Sequence, residues 1–164
     1  MRNIDLHVHS NYSDGSETTE ELVKLAIKAN LAAFALTDHD TTDGYQSLSE
    51  AASRHNAGLP KDEQLEVLPG VEISAAYKSG DIHILGLLVE PDNDEFNALL
   101  KEAEKERIAR NIKMVENLKN AGLLISYDEI VAASPDSIIT RAHFGKYLVE
   151  KGIVKDYPSA FELY

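Results

Sequence analysis

The sequence predicts an α/β fold: a parallel sheet with right-handed crossovers, followed by a helical segment. Two observations carry that reading. Over residues 1–90, short apolar runs alternate with stretches of helical periodicity in the order β-α-β-α-β-β. From Glu90-Pro91-Asp92-Asn93 onward the strand signals stop and only helical periodicity remains. The change divides the chain into segments 1–90 and 91–164.

Residues 3–9 (NIDLHVH) read as the first strand, with Leu6 and Val8 alternating with Asp5, His7 and His9. Residues 10–17 are rich in Ser, Asn, Asp and Gly, and form a loop. Thr18 and Glu21 have capping-box spacing, and Leu22, Leu25, Ala26 and Ala29 repeat at helical intervals until Asn30. Leu31–Leu36 is a short apolar run of the kind that buried parallel strands show, and it stops at Thr37-Asp38-His39-Asp40. A second helix spans Asp43 to His55. After a polar loop at 60–64, Leu65–Leu68 and Val71–Ser74 form a strand interrupted by Pro69-Gly70, and Ile82–Val89 forms another.

In the second segment, one long helix is expected from Asp94 to Asn120. Phe96, Leu99, Leu100, Ala103, Ile112, Val115 and Leu118 make its apolar stripe, and Gly122 closes it. Ser126 opens a short helix that ends near Ala133, Ser134-Pro135 breaks the chain, and Thr140 to Lys151 is a further helix stopped by Gly152.

Composition narrows the function classes. The 164 residues are 43% apolar and 27% charged, which excludes disorder, collagen and coiled coil as the main state. No window approaches 18 consecutive apolar residues, so no membrane span is expected. MRNIDLHVHS has no long apolar core of the signal-peptide type, and a cytoplasmic location is expected. With no cysteine, disulfides, thiolate metal sites and a cysteine nucleophile are excluded. The net charge is −12, of which −9 falls in residues 1–90 and −3 in the rest. Such a surface argues against broad nucleic-acid or membrane adhesion. The excess can serve solubility, or its acids can be neutralised by cations.

The residues with chemical potential fall at strand ends. His7 and His9, two apart on a strand, share a face and can grip one cation, although two chance histidines at a strand edge explain an HxH pair about as well. Asp14 sits in a Ser-Asp-Gly turn, where ordinary turn chemistry accounts for it. Asp38, His39 and Asp40 follow an apolar strand, where burying them is costly unless something pairs them. Asp43 reads as another turn residue. Glu72, between Val71 and Ile73, needs a partner or an edge strand, and His83 could be a satisfied core histidine. Together, His7, His9, Asp14, His39, Glu72 and His83 can converge at the shared edge of a parallel sheet, and a His/carboxylate set without sulfur suits Zn, Mn or Fe. His55 reads as an exposed helix-end residue. Arg141 and His143, at a helix start, form either an anion grip or a solvated first turn. Arg107 and Arg110 are expected on the solvated face of the long helix, with a lesser reading in which one reaches a phosphate.

HVHSNYSDG, ALTDHDTTDGY, LPGVEIS and DIHILGL resemble, in order, the motifs of the PHP (polymerase and histidinol phosphatase) family. The Arg-x-x-Arg spacing and ITRAHFGKYLVEKG resemble the inserted helical domain of the branch that hydrolyses nucleoside 3′,5′-bisphosphates and short oligoribonucleotides. The resemblance implies the N-terminal portion of a distorted (β/α)7 barrel over residues 1–90 with a helical insert over 91–164, and up to three divalent ions in the intact fold. His7 and His9 would hold the first ion, Glu72 would bridge the first and second, His83 would serve the second, and Asp14 and His39 would hold the third. Asp38 and Asp40 would orient histidine rings, and Arg141 and His143 would lie over the substrate phosphate.

The implied function is hydrolysis of a small phosphorylated substrate, a nucleotide or short oligonucleotide, by a metal-activated water. Family members continue past the insert to further strands with more ligands, and a full barrel needs roughly 250 residues. The resemblance therefore implies an N-terminal piece whose activity alone is in doubt. A non-catalytic, metal-stabilised scaffold and a histidinol-phosphatase type of enzyme remain the alternatives, and the oligomeric state is left open.

Overall fold

The computed structural model describes residues 2–77 and 80–162, so the last two residues of the second segment lie outside the described residues. The chain order is β1 (Asn3–Val8), α1 (Thr19–Lys28), β2 (Leu31–Leu36), α2 (Gly44–Asn56), β3 (Glu66–Tyr77), β4 (Gly80–Leu87), α3 (Asp94–Asn120), α4 (Tyr127–Ala133), α5 (Arg141–Glu150) and α6 (Tyr157–Phe161). The four strands form one sheet in the order β1-β2-β3-β4. The architecture is a mixed α/β fold.

Local signals explain most of these elements. Thr18 and Glu21 form the expected capping box at the start of α1. Ala33 to Leu36 of β2 are buried, as a strand flanked on both sides requires. β1, β2 and β3 pair in parallel.

Two expectations about the sheet are corrected. β3 is continuous, and Pro69-Gly70 marks a change of partner rather than a break. Glu66 to Pro69 pair in parallel with β2, whereas Gly70 onward pairs antiparallel with β4. Proline has no N–H to donate, so it fits the position where one ladder ends. Gly70 is required by close approach, since a Cβ there would lie 2.8 Å from Thr37 Cγ2 and 2.9 Å from the Leu36 carbonyl oxygen. The sheet is therefore not parallel throughout. Parallel pairing needs a crossover of about a dozen residues, and far less chain separates β3 from β4.

α3 runs over the expected residues, and Asn93 caps it by accepting from the Phe96 N–H at 2.9 Å. Its inward stripe differs from expectation. Leu99 is 67% exposed and Ile112 46% exposed. The buried positions are Leu100, Arg107, Asn111, Val115 and Leu118, so two polar side chains occupy the middle of the stripe. α6, which was not anticipated, is capped by Asp156.

Among the described residues, two separate hydrophobic cores form. One joins α1, β2, α2 and Leu65, centred on Phe34 and Leu48. The other joins the second half of α3 to α4, α5 and α6, around Phe144 and Leu148. Among the described residues, no helix is long and apolar enough to cross a membrane.

Candidate metal centre

Each strand delivers one part of a single polar cluster. His7 is on β1 and His9 directly follows it, their rings 5.0 Å apart on one face. His39 follows β2 and forms an isolated bridge with Glu72 of β3. His83 reaches the cluster from the antiparallel strand. It lies opposite Ser74, which makes it the diagonal neighbour of Glu72 on the same face.

Glu72 is the hub, and it is only 4% exposed. Its Oε2 lies 2.8 Å from His7 Nε2, 2.9 Å from His9 Nε2 and 3.8 Å from His39 Nδ1. Its Oε1 lies 2.5 Å from His83 Nδ1. Asp14 stands on the far side, with Oδ1 3.4 Å from His9 Nδ1 and Oδ2 3.3 Å from His39 Nε2.

The donors divide into three groups that could each hold an ion: His7, His9 and Glu72; His9, Asp14 and His39; His39, Glu72 and His83. Within each group the ligand atoms lie within 4.8 Å of one another, near the reach of one ion with bonds of about 2.0–2.2 Å. His39 Nδ1 is buried with no hydrogen-bond partner, as a ligand nitrogen turned toward a cation would be. The hydroxyl of Ser13 donates to Asp38, so at 3.2 Å it can only accept from His9 Nδ1–H. In the neutral ring, which burial favours, that leaves a lone pair on His9 Nε2 facing the Glu72 carboxylate, a conflict that a cation between them resolves. The residues present therefore fit a divalent metal.

The electrostatics agree. Burial alone would push the Glu72 carboxyl up, but the His7 hydrogen bond, the His39 charge and the His83 hydrogen bond hold it below the usual range. Burial opposes ionisation of Asp14 too, and the hydrogen bond and charge of His39 outweigh it, so its carboxyl stays well below the usual range. Burial lowers His9, favouring the neutral imidazole that ligates metals.

Asp38 and Asp40 support this cluster through serines and backbone, and Ser13 links Asp38 to the His9 ring. Asp38, 1% exposed, accepts from the Ser10 N–H at 2.8 Å, the Ser10 hydroxyl at 2.6 Å and the Ser13 hydroxyl at 2.6 Å. It staples the loop after His9 to the end of β2. Gly15 closes that loop, for a Cβ there would lie 2.3 Å from the His9 carbonyl oxygen. Asp40 accepts from the Ser74 N–H at 3.0 Å and from Arg107 through Nε at 2.9 Å and more closely through Nη2. Arg107 is thus buried in an ion pair, correcting its expected place on a solvated face. The charge of Arg107 hid the fact that its spacing from Leu100 and Asn111 continues the buried stripe.

Besides Arg107, the helical segment also reaches the loop after His9. The Ile138 N–H donates to the Tyr12 carbonyl at 2.8 Å, the Ser137 hydroxyl donates to the Asn11 carbonyl at 2.5 Å, and the Thr140 hydroxyl donates to Asp14 Oδ2 at 3.2 Å. His143 serves a local role that the sequence did not suggest. Its Nδ1 accepts from the Thr140 N–H at 3.0 Å, completing a capping box for α5. Burial lowers its pKa, against the Asp14 charge. His143 lines a cavity of about 630 Å³ together with Asp14, Gly15, Ser16 and Lys146. Arg141 stands exposed on the first turn of α5, and His55 is half-buried in the last turn of α2. Asp43 is exposed before α2 and makes no side-chain cap.

The chain is similar to known proteins across nearly its whole length. A 3′,5′-nucleoside bisphosphate phosphatase from Chromobacterium violaceum is 36% identical to it, covering 100% of this chain and 55% of the relative. A 5′-3′ exoribonuclease from Haemophilus influenzae is 35% identical, covering 99% of this chain and 56% of the relative. A solved structure from Bifidobacterium adolescentis, provisionally assigned as a metal-dependent phosphoesterase, superposes with a TM-score of 0.84 at 30% identity, over 98% of this chain and 54% of that one. The chain thus spans about half the length of the curated relatives it matches. Residues 5–164 match the PHP domain, and with the histidine and carboxylate cluster at the sheet edge this shows that the chain belongs to the PHP domain family.

Proposed function

We propose that this chain is the metal-holding part of a cytoplasmic phosphoester hydrolase that acts on nucleoside 3′,5′-bisphosphates or short oligoribonucleotides. The observation that carries the reading is the overlap at Glu72, whose two carboxylate oxygens belong to two of the three candidate ion groups. Such sharing suits a multinuclear centre better than isolated sites. His7, His9, Asp14, His39, Glu72 and His83 would hold Mn, Zn or Fe ions. Those ions would supply an acidified water as nucleophile and neutralise the phosphate oxygens.

The chain's own residues would do the rest. The cluster lies in the acidic half of the sequence, and cations held there would invert its repulsion of a phosphate. His143 Nδ1 already accepts from Thr140, so in the neutral ring the proton is on Nε2, ready to donate to an anion in the cavity beside Asp14. Arg141, two residues earlier on α5, would add a fixed positive charge. The two separate cores support residues 1–90 as the N-terminal portion of a distorted (β/α)7 barrel and residues 91–164 as a helical insert.

The test is release of inorganic phosphate from adenosine 3′,5′-bisphosphate with Mn2+, with His9→Ala measured alongside. Release that disappears in the variant supports the proposal. No release from protein shown to bind Mn2+ counts against it and favours a metal-stabilised scaffold. Preference for histidinol phosphate would redirect the substrate assignment.

A further inference from the structure

We propose that Arg107 is a positioning residue for the metal centre: from the middle of α3 it holds Asp40, and through Asp40 it sets the place of Glu72. This rests on the metal-centre reading above and adds to it a residue on the helical segment.

The geometry is a bracket around one residue. The Asp40 N–H donates to the Glu72 carbonyl at 3.0 Å, and the Asp40 carboxylate accepts from the Ser74 N–H at 3.0 Å. Between these, the Glu72 N–H donates to the Asp38 carbonyl at 3.0 Å. The backbone around Glu72 is therefore held by residues 38–40. Asp40 adopts the left-handed backbone conformation, with φ of 52°, so its two backbone-directed contacts depend on an unusual local shape.

Arg107 holds that shape. Its Nε and Nη2 both donate to Asp40 Oδ2, and its Nη2 also donates to the Ser74 hydroxyl at 2.8 Å. The side chains of the pair are 5% and 2% exposed, so neither solvent nor salt relaxes the grip. A buried ion pair is a poor device for stability alone, because apolar residues of like volume often serve equally well. A planar fork reaching an acid and a hydroxyl at once is well suited to fixing position. The anchored strand carries the hub of the cluster, whose contacts with four imidazoles depend on its placement.

The experiment compares Mn2+ affinity, measured by titration, with the metal-free melting temperature. The variants are Ser74→Ala, which keeps the ion pair, and the double variant Asp40→Asn with Arg107→Met, which leaves no unpaired buried charge. The double variant is expected to melt close to the wild type yet bind Mn2+ about 10- to 100-fold more weakly, as loss of groups supporting metal ligands commonly does. Ser74→Ala is expected to show about a tenfold loss, at the lower end of that range, with its melting unchanged. A merely structural role would lower melting and leave the affinity of the folded protein alone, so unchanged affinity in the folded variants overturns the inference. Should the double variant fail to fold, Ser74→Ala decides by the same criterion. A wild type that binds no Mn2+ refutes the metal-centre reading instead, which keeps the two failures apart.

Discussion

The Thr140 hydroxyl donates to Asp14 Oδ2 at 3.2 Å across 126 residues of chain, while accepting from the Ala142 N–H as the cap of α5. One side chain thus starts a helix in one core and holds an acid beside the cluster of the other. Thr140→Val keeps the shape and removes both bonds. Loss of the cap should cost about 1 kcal/mol of stability, read by urea unfolding, and Mn2+ affinity should fall because Asp14 loses a partner. Thr140→Ser should restore both. A Val variant with wild-type affinity would detach Thr140 from the centre.

Gly15 has no room for a side chain. In Gly15→Ala the new methyl would meet the His9 carbonyl, so the loop that carries His9 toward Asp14 must shift. The expected cost is about 1–3 kcal/mol, together with weakened metal binding. The midpoint of urea unfolding checks the first and Mn2+ titration the second.

His143 gives a pH dependence of definite sign. Its folded pKa lies below the usual 6.5, chiefly because burial disfavours the charged ring. The folded state then binds fewer protons than the unfolded state around that value. The contribution is fully present above the unfolded pKa and is lost as pH falls through the depressed folded pKa. Gln at this position can keep the capping box without titrating. Between about pH 8 and pH 5, the wild type should therefore lose more stability than His143→Gln. Parallel curves would show that the ring does not contribute in this way.

Much of this arrangement could be read in the residues themselves, and the exceptions share a physical cause. α3 was legible at both ends because Asn93 caps it and Gly122 follows it, and β2 because a short apolar run is its own signal. The site histidines stood out because they interrupt apolar strands. Ser10 and Ser13 did not, since Ser-Asn-Asp-Gly composition reads as solvated loop, whereas both are fully buried around Asp38. Arg107 was hidden for a related reason: a charge on a long helix reads as surface unless its partner, 67 residues earlier, is known. The direction of β4 followed from connection length, which apolar patterning does not register.

The proposed metal centre is one cluster of imidazoles and carboxylates that holds divalent cations, with Glu72 as the group they share. Elemental analysis of protein equilibrated with Mn2+ and freed of excess tests it most directly. A stoichiometric amount of metal is expected on the wild type, with near-complete loss in Glu72→Ala. A folded wild type that retains no metal, or an alanine variant that retains as much as the wild type, would contradict it.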